Sequence, residues 1–343
     1  MNPNRLRAAV LPPLALSAAI AGAQDAADID ADVTDVVHQP SVLLPEGQLI
    51  FEPGFSYSHG SSLDVAIEGH TVIPALVIGL INVSESQRDT FTTTLGFKYG
   101  LTRRLQLDLT VPYVYREERI RDREIMQGSS ADLYDRSFGD GLGDIELALR
   151  YQLNSGQNGW PFFIANLRVK SHTGEGPLEV DRRTVTAEDE DGNPVAIGEV
   201  LTEQPTGSGF WAVQPSITFI LPSDPVVLFG NISYLYNFER EFDPILGKVD
   251  PGDSVGFSLG MGMALNDRTS FSLGYDHNAV MRTEWENDPG VDASFDRFQV
   301  GSFLLGLTHR IGAQRLNLSL AIGATENAPD VQLGVRVPFK LID

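Results

Sequence analysis

The chain has 343 residues, 25 Lys and Arg against 46 Asp and Glu, a formal charge of −21 and no cysteine. The missing cysteine excludes a disulfide framework, a Cys-ligated zinc or iron–sulfur site and a thiol nucleophile, and the acidic balance argues against a nucleic-acid partner. At 42% hydrophobic and 21% charged, the chain is too apolar for a disordered acidic tail, so it must place apolar surface against something.

Residues 1–23 read as an export signal. Arg5 and Arg7 precede the largely apolar Ala8–Ile20, and Ala21-Gly22-Ala23 has the small-x-small form of a cleavage site. The apolar part is well short of the ~20 residues of a spanning helix, which disfavours an N-terminal anchor. Removing its two arginines takes the formal charge from −21 to −23. Residues 24–46 hold six acids and no Lys or Arg, with Val36-Val37 and Val42-Leu43-Leu44 among them. This acidic periplasmic segment either plugs the mouth of the domain that follows or stays disordered.

From residue 47 to 343 the period is two. Leu105, Leu107, Leu109, Val111, Tyr113 and Tyr115 share one face, with Gln106, Asp108, Thr110 and Pro112 on the other and Val114 as the exception. Val255, Phe257, Leu259, Met261, Met263 and Leu265 oppose Ser, Gly and Ala in the same way, and the closing stretch Val331–Leu341 repeats it. The pattern predicts twelve strands, near 48–58, 88–100, 105–115, 144–153, 161–170, 209–221, 226–238, 254–265, 269–277, 300–311, 315–323 and 331–341. No other apolar run reaches helix-spanning length; Val72–Ile81 is interrupted by Pro74 and Gly79.

The connections alternate between long (59–87, 116–143, 171–208, 239–253, 278–299) and short (100–104, 154–160, 222–225, 266–268, 312–314), with 325–328 brief on the long side. Short turns on one side and long loops on the other, with an even strand number, are the signature of an all-β, antiparallel up-and-down transmembrane barrel of a Gram-negative outer membrane. A soluble sandwich also alternates. Against it stand apolar faces long enough for a tilted spanning strand, polar faces rich in Gly, Ser, Thr and Asn, and aromatic residues near strand ends (Tyr99, Tyr113, Tyr115, Trp211, Tyr234, Tyr236, Phe238, Tyr275, Phe339), where girdles belong.

With each polar face turned inward, the pore-lining candidates are Lys98, Arg150, Arg168, Lys170, Arg310, Arg315, Arg336 and Lys340, and Glu52, Asp108, Asp144, Glu146 and Asp276. Eight bases against five acids make a lumen of +3 inside an acidic protein. The acid concentrates in loop 171–208, with nine Asp and Glu against two Arg, including Glu188-Asp189-Glu190-Asp191. Basic rings favour anions, so one reading is a weakly anion-preferring channel below an acidic vestibule; the other is that lumenal bases and acids pair and fill the barrel. The run 72–81 either folds into the mouth as an apolar constriction or landing site, or belongs to a second strand that starts early, with the run facing lipid.

Catalytic signals are weak. Only Asp276-His277 resembles a base beside a carboxylate, and neighbours in a strand point to opposite faces. No G-x-S-x-G, H-E-x-x-H or Walker pattern occurs. Gly207–Phe210 is too short for a nucleotide loop, and Glu188–Gly192 lacks the spacing of the twelve-residue calcium loop. No catalytic residue, cofactor or metal ligand is assigned, and a surface hydrolase is the remote alternative.

Gly100-Leu101-Thr102 with Leu105–Tyr115, Gly141–Leu153, Arg168-Val169-Lys170 with Thr173-Gly174, and Leu333–Phe339 resemble the outer-membrane transporters associated with meta-pathway phenol degradation. That resemblance implies a twelve-stranded porin-like barrel taking up aromatic or other small compounds. Thr206–Ile220, Pro222–Pro225 and Gly274–His277 are also similar to the export porins of functional-amyloid operons, which implies a homotrimer and, as an alternative function, amyloid-subunit export. Residues 24–46 depart from that family in having no heptads for a coiled-coil plug, and Asp343 departs from the usual terminal aromatic of the barrel assembly signal. The expected partners are outer-membrane lipid and lipopolysaccharide, the barrel assembly machinery and a small solute.

Overall fold

The structure, a computed structural model, describes residues 42–73, 76–124, 133–188, 194–242, 247–287, 291–295 and 297–342. The predicted export signal 1–23, most of the acidic segment 24–46 and nearly all of the run 188–192 lie outside the described residues. Twelve strands form one antiparallel sheet: β1 (Leu49–Ile73), β2 (Leu76–Thr102), β3 (Leu105–Glu124), β4 in two pieces (Leu133–Leu142 and Glu146–Gln152), β5 (Phe162–Lys170), β6 (Ala212–Ser223), β7 (Val226–Asn237), β8 (Ser254–Asn266), β9 (Thr269–Val280), β10 (Phe298–Ile311), β11 (Gln314–Gly323) and β12 in two pieces (Val331–Arg336 and Phe339–Ile342). Each strand pairs with its sequence neighbours, and β12 returns to β1 through Phe55 opposite Val335 and Phe51 opposite Phe339, which closes the barrel. All twelve predicted strands are present.

The barrel is built inside out relative to a soluble protein. Leu259 and Phe257 are 58% and 48% exposed on the outside, while Gln106, Asp108 and Asp276 are 6%, 6% and 3% exposed within. Water would penalise such an outer face and lipid favours it, which decides against the sandwich. The exposed aromatics form two belts. Tyr99 and Phe339 lie near the short turns, and Tyr113, Tyr115, Trp211, Tyr234, Tyr236 and Phe238 lie near the long loops. Tyr275 packs between Phe303 and Phe257, with ring centroids 5.3 and 6.2 Å away.

Pro112 shapes β4. It has no N–H to give to the ladder, and there the register slips by one: Tyr113 faces Leu142 while Thr110 faces Glu146. Below the slip Glu146, Ala148 and Arg150 take the inner side, and above it Ser137, Gly139 and Gly141 do. The gap exposes the backbone of Gly143–Ile145 to partners inside the barrel: Ile145 N–H meets Ser171 Oγ at 3.0 Å and Thr173 Oγ1 at 2.9 Å.

The first long connection is not the loop expected over 59–87. β1 and β2 continue as a paired ladder from His59 opposite Asp89 up to Ile73 opposite Leu76, so the second strand starts early, at Leu76; residues 74 and 75 lie outside the described residues. Of the 27 residues of β2, a tilted spanning strand uses ~11; at ~3.3 Å per residue the surplus measures roughly 50 Å along the strand. Loop 171–211 carries a hairpin of Arg182–Glu188 with Pro194–Leu201, and the β7–β8 and β9–β10 loops join in a four-stranded sheet (Arg240–Glu241, Lys248–Asp250, Thr283–Asn287, Val291–Phe295).

Candidate functional site: the barrel lumen

Along the middle of the lumen, inward side chains from six adjacent strands form a belt of alternating charge. In order around the wall it runs Arg336 (β12), Glu52 (β1), Lys98 (β2), Asp108 (β3), Arg150 and Glu146 (β4) and Arg168 (β5). Glu52 accepts Lys98 at 2.9 Å and lies 3.9 Å from Arg336. Arg150 meets Asp108 at 2.7 Å and Arg168 meets Glu146 at 3.1 Å, and Arg168 also donates to Gln214. Across from the belt, β9 to β11 border the same space with uncharged residues: Ser272, Gly274, Leu304, Gly306, Ser319 and Ala321. Between the two halves lies about 1410 Å³ of space not filled by protein atoms, with Phe229 of β7 at its edge.

The thirteen sequence candidates thus separate. Seven border this space: Lys98, Arg150, Arg168, Arg336, Glu52, Asp108 and Glu146. Lys170 and Asp144 sit above it, 3.6 Å apart. Asp276 faces inward between Ser258 and Ser302 and is 3% exposed. Arg310 and Arg315 face one another across β10–β11 and, with Asp267 and Arg268, line a small recess at the periplasmic turns. Lys340 is exposed at the same end. Without these three rim residues the candidates number five bases and five acids, so the lumen of +3 read from strand faces resolves into a balanced, paired interior and a basic rim. The paired reading of the lumenal charges is the one the geometry favours. Adjacent in sequence, Asp276 and His277 stand on opposite faces, His277 meeting the Tyr275 hydroxyl at 3.0 Å on the outside, so they do not converge.

The outer mouth is narrowed by the two ends of loop 171–211, which tuck against the inner wall of β4. Gln204 gives its side-chain amide to Glu118 and Ser137, both at 2.8 Å. Asp144 accepts Gly174 N–H at 3.2 Å, Ser208 N–H at 2.9 Å and Ser208 Oγ at 2.6 Å, and Lys170 donates to the same serine at 2.7 Å. The two chain ends also touch each other: a β-carbon on Gly174 would lie 2.7 Å from the Gly207 Cα. On the wall beneath, Arg88 pairs with Glu118 at 2.6 Å. Burial works to raise the Glu118 carboxyl, but Arg88, Ser86 and Gln204 outweigh it and hold it below the usual carboxylate range. Burial lowers the neighbouring Arg116 to about 10, still a cation at neutral pH. Val114, the exception in the alternation of Leu105–Tyr115, is 7% exposed; a β-carbon on Gly143 would lie 3.1 Å from it.

Asp144 joins the wall to both loop ends, so Asp144→Ala should leave Lys170 buried without its acid. Truncating one partner of a buried pair costs about 3–5 kcal/mol. The expected result is a lower urea midpoint and rapid proteolysis within 171–211, with Asp144→Asn, which keeps the acceptor oxygen, falling between it and the parent chain.

At the periplasmic end lie Val42-Leu43-Leu44 of the segment expected either to plug the mouth or to stay disordered, seated on wall residues that the sequence reading did not single out. Val42–Leu44 enters the lumen as a strap: Val42 N–H donates to Gln152 Oε1 at 3.3 Å, Leu44 N–H to Gln106 Oε1 at 3.0 Å, and Gln106 in turn donates to Asp108 at 2.6 Å. Leu43 packs into Phe162, Ile164, Ile220, Val227 and Phe229. The available signal was a local failure of alternation. Phe162-Phe163-Ile164, Phe219-Ile220-Leu221 and Val226–Phe229 are apolar on both faces, so one face of each had to be apolar inside the barrel.

No known protein-family model matches the chain. Among solved structures it is similar to the COG4313 outer membrane channel from Pseudomonas putida F1, at 17% identity and a TM-score of 0.53, over 87% of this chain and 97% of that one. Weaker likenesses reach the Pseudomonas putida toluene transporter TodX (12% identity, TM-score 0.40, 90% and 93% of the two chains) and the translocator domain of the Neisseria meningitidis autotransporter NalP (9%, 0.41, 95% and 98%). The first likeness supports the outer-membrane barrel fold; the other two are too distant for anything to be drawn from them.

Proposed function

We propose that this barrel is an outer-membrane channel, delivered by residues 1–23 acting as an export signal, for passive passage of small amphipathic organic solutes such as aromatic compounds bearing a polar or anionic end. The observation that carries the reading is the divided lumen: a charged, hydrogen-bonding belt over β12 to β5 faces an uncharged wall containing Leu304 and Ala321, with Phe229 beside them. A polar head can exchange hydrogen bonds along the belt while an apolar body stays against the facing wall, so neither end is stranded. The resemblance to meta-pathway transporters and the fold shared with the P. putida channel support the same reading. Export of an extended amyloid subunit is disfavoured, because the strap, the belt and the tucked loop ends occupy the path a polypeptide would need.

The test is the conductance of the refolded protein in a planar bilayer under a salt gradient. The lumenal candidates balance and the periplasmic rim adds Arg310, Arg315 and Lys340, so any anion preference comes from the rim and the expected reversal potential is small. Asp108→Asn, which removes one acid from the belt, should shift it further toward anions. A bilayer that stays silent overturns the channel reading, and clear cation selectivity overturns the charge assignment.

A further inference from the structure

The lumenal wall is mostly polar, and five of its apolar residues are contiguous. Phe162 and Ile164 on β5, Ile220 on β6, and Val227 and Phe229 on β7 all take the inward phase of their strands and are between 3% and 9% exposed. Their registers place them side by side, Phe162 opposite Ile220 and Ile220 opposite Phe229. An apolar patch on a wet wall loses nothing only while something apolar covers it, and here the cover is Leu43, 7% exposed, with Val42 against it.

Three observations give this contact a role beyond packing. Two glutamine side chains, Gln152 and Gln106, accept the Val42 and Leu44 N–H groups of the strap, each a neutral hydrogen bond that water can replace. Phe229 belongs both to the cradle and to the boundary of the lumenal space, so a solute descending through that space meets the edge of the cradle. Leu44, Gln106, Asp108 and Arg150 form one chain of polar contacts, which links the strap to the charged belt above.

We infer that the cradle of Phe162, Ile164, Ile220, Val227 and Phe229 is a binding site for a small apolar or aromatic group, occupied in the resting channel by Leu43, so that solute and strap compete for one place. A group the size of a leucine side chain or a benzene ring satisfies the patch as Leu43 does, and its arrival releases the strap from the periplasmic mouth. The site would be the last station of the path, and the inference rests on the channel reading above for its biological sense.

The chain has no cysteine, so one introduced thiol reports alone. Leu43→Cys and, with Leu43 kept in place, Val42→Cys are refolded as full chains into phosphatidylcholine vesicles and labelled with a maleimide, with and without benzene. Heat-modifiable gel mobility confirms the folded barrel. The expected result is slow labelling that benzene accelerates several-fold and glycerol leaves unchanged, and fast, benzene-independent labelling when Ile220→Asn is added. Labelling of Val42→Cys that is indifferent to benzene, in protein that still conducts, overturns the inference and leaves the channel reading intact. Labelling that responds to benzene in a protein that never conducts keeps the site and overturns the channel.

Discussion

Replacing Gly139 by valine should open the outer mouth while leaving the barrel folded. Gly139 faces inward on β4 directly beneath the carbonyl oxygen of Gln204, and a β-carbon there would collide with backbone, which cannot rotate away as a side-chain end can. Segment 203–207 must lift, and with it go the Gln204 bonds to Glu118 and Ser137 and the approach of Gly207 to Gly174. Overpacking of this kind costs about 1–3 kcal/mol, and a lost hydrogen bond to a charged acceptor about 1.5–3 kcal/mol. Both losses fall on the tucked loop, since the β3–β4 ladder around Gly139 needs no side chain. Single-channel conductance should therefore rise clearly, proteolysis within 171–211 should accelerate, and heat-modifiable gel mobility should persist. An unchanged conductance would show that these loop ends do not narrow the path.

Leu259→Arg should be the most damaging substitution on the outer face. Leu259 lies midway along β8 and is 58% exposed, so its surroundings are the centre of the lipid layer. A lipid-facing Arg at the midplane costs about 2–4 kcal/mol, and the cost fades toward the interfaces. Leu265→Arg, at the periplasmic end of the same strand and 56% exposed, should cost less than half as much although the two side chains are almost equally exposed. Urea titration of the vesicle-inserted barrel reads both. Equal costs at the two positions would contradict the placement of the membrane across β8.

Most of the barrel was legible in the sequence because its constraints are local. A strand with lipid on one side and water on the other must alternate, as Leu105–Tyr115 and Ser254–Leu265 do, and the short turns carry their own chemistry in Asn266-Asp267 and Pro222–Pro225. Where those constraints lapse, legibility lapses too. At Glu85–Thr90 both faces of β2 are polar, so residues 59–87 read as a loop although the backbone ladder continues through the described residues. The cradle was hidden for the opposite reason: at Phe162–Ile164 and Phe219–Leu221 both faces are apolar, and a two-sided apolar strand looks the same whether its inner partner is a sheet, a solute or Leu43. The charged candidates were readable by strand face, but their height in the lumen was not. Arg310 and Arg315 therefore counted toward the lumen until the turn between β10 and β11 placed them at its rim. Loop 171–211 could be counted for charge but not located, because its anchors, Asp144 and Gln204, act across distant strands.

The seam between β12 and β1 sets an order of events on the making of the protein. Glu52 belongs to the first strand of the chain and Arg336 to the last, and Gly54 has Arg336 as its ladder partner. Every other seam of the barrel joins consecutive strands, so only this one must wait for a contact spanning almost the whole chain, the kind whose loop-closure cost is met last. Until it forms, β1 and β12 both present bare edges able to capture any passing strand. A chain interrupted before Val331 would therefore be an open ribbon with two adhesive borders, and the last dozen residues act as the clasp that turns a sheet prone to aggregate into a sealed cylinder.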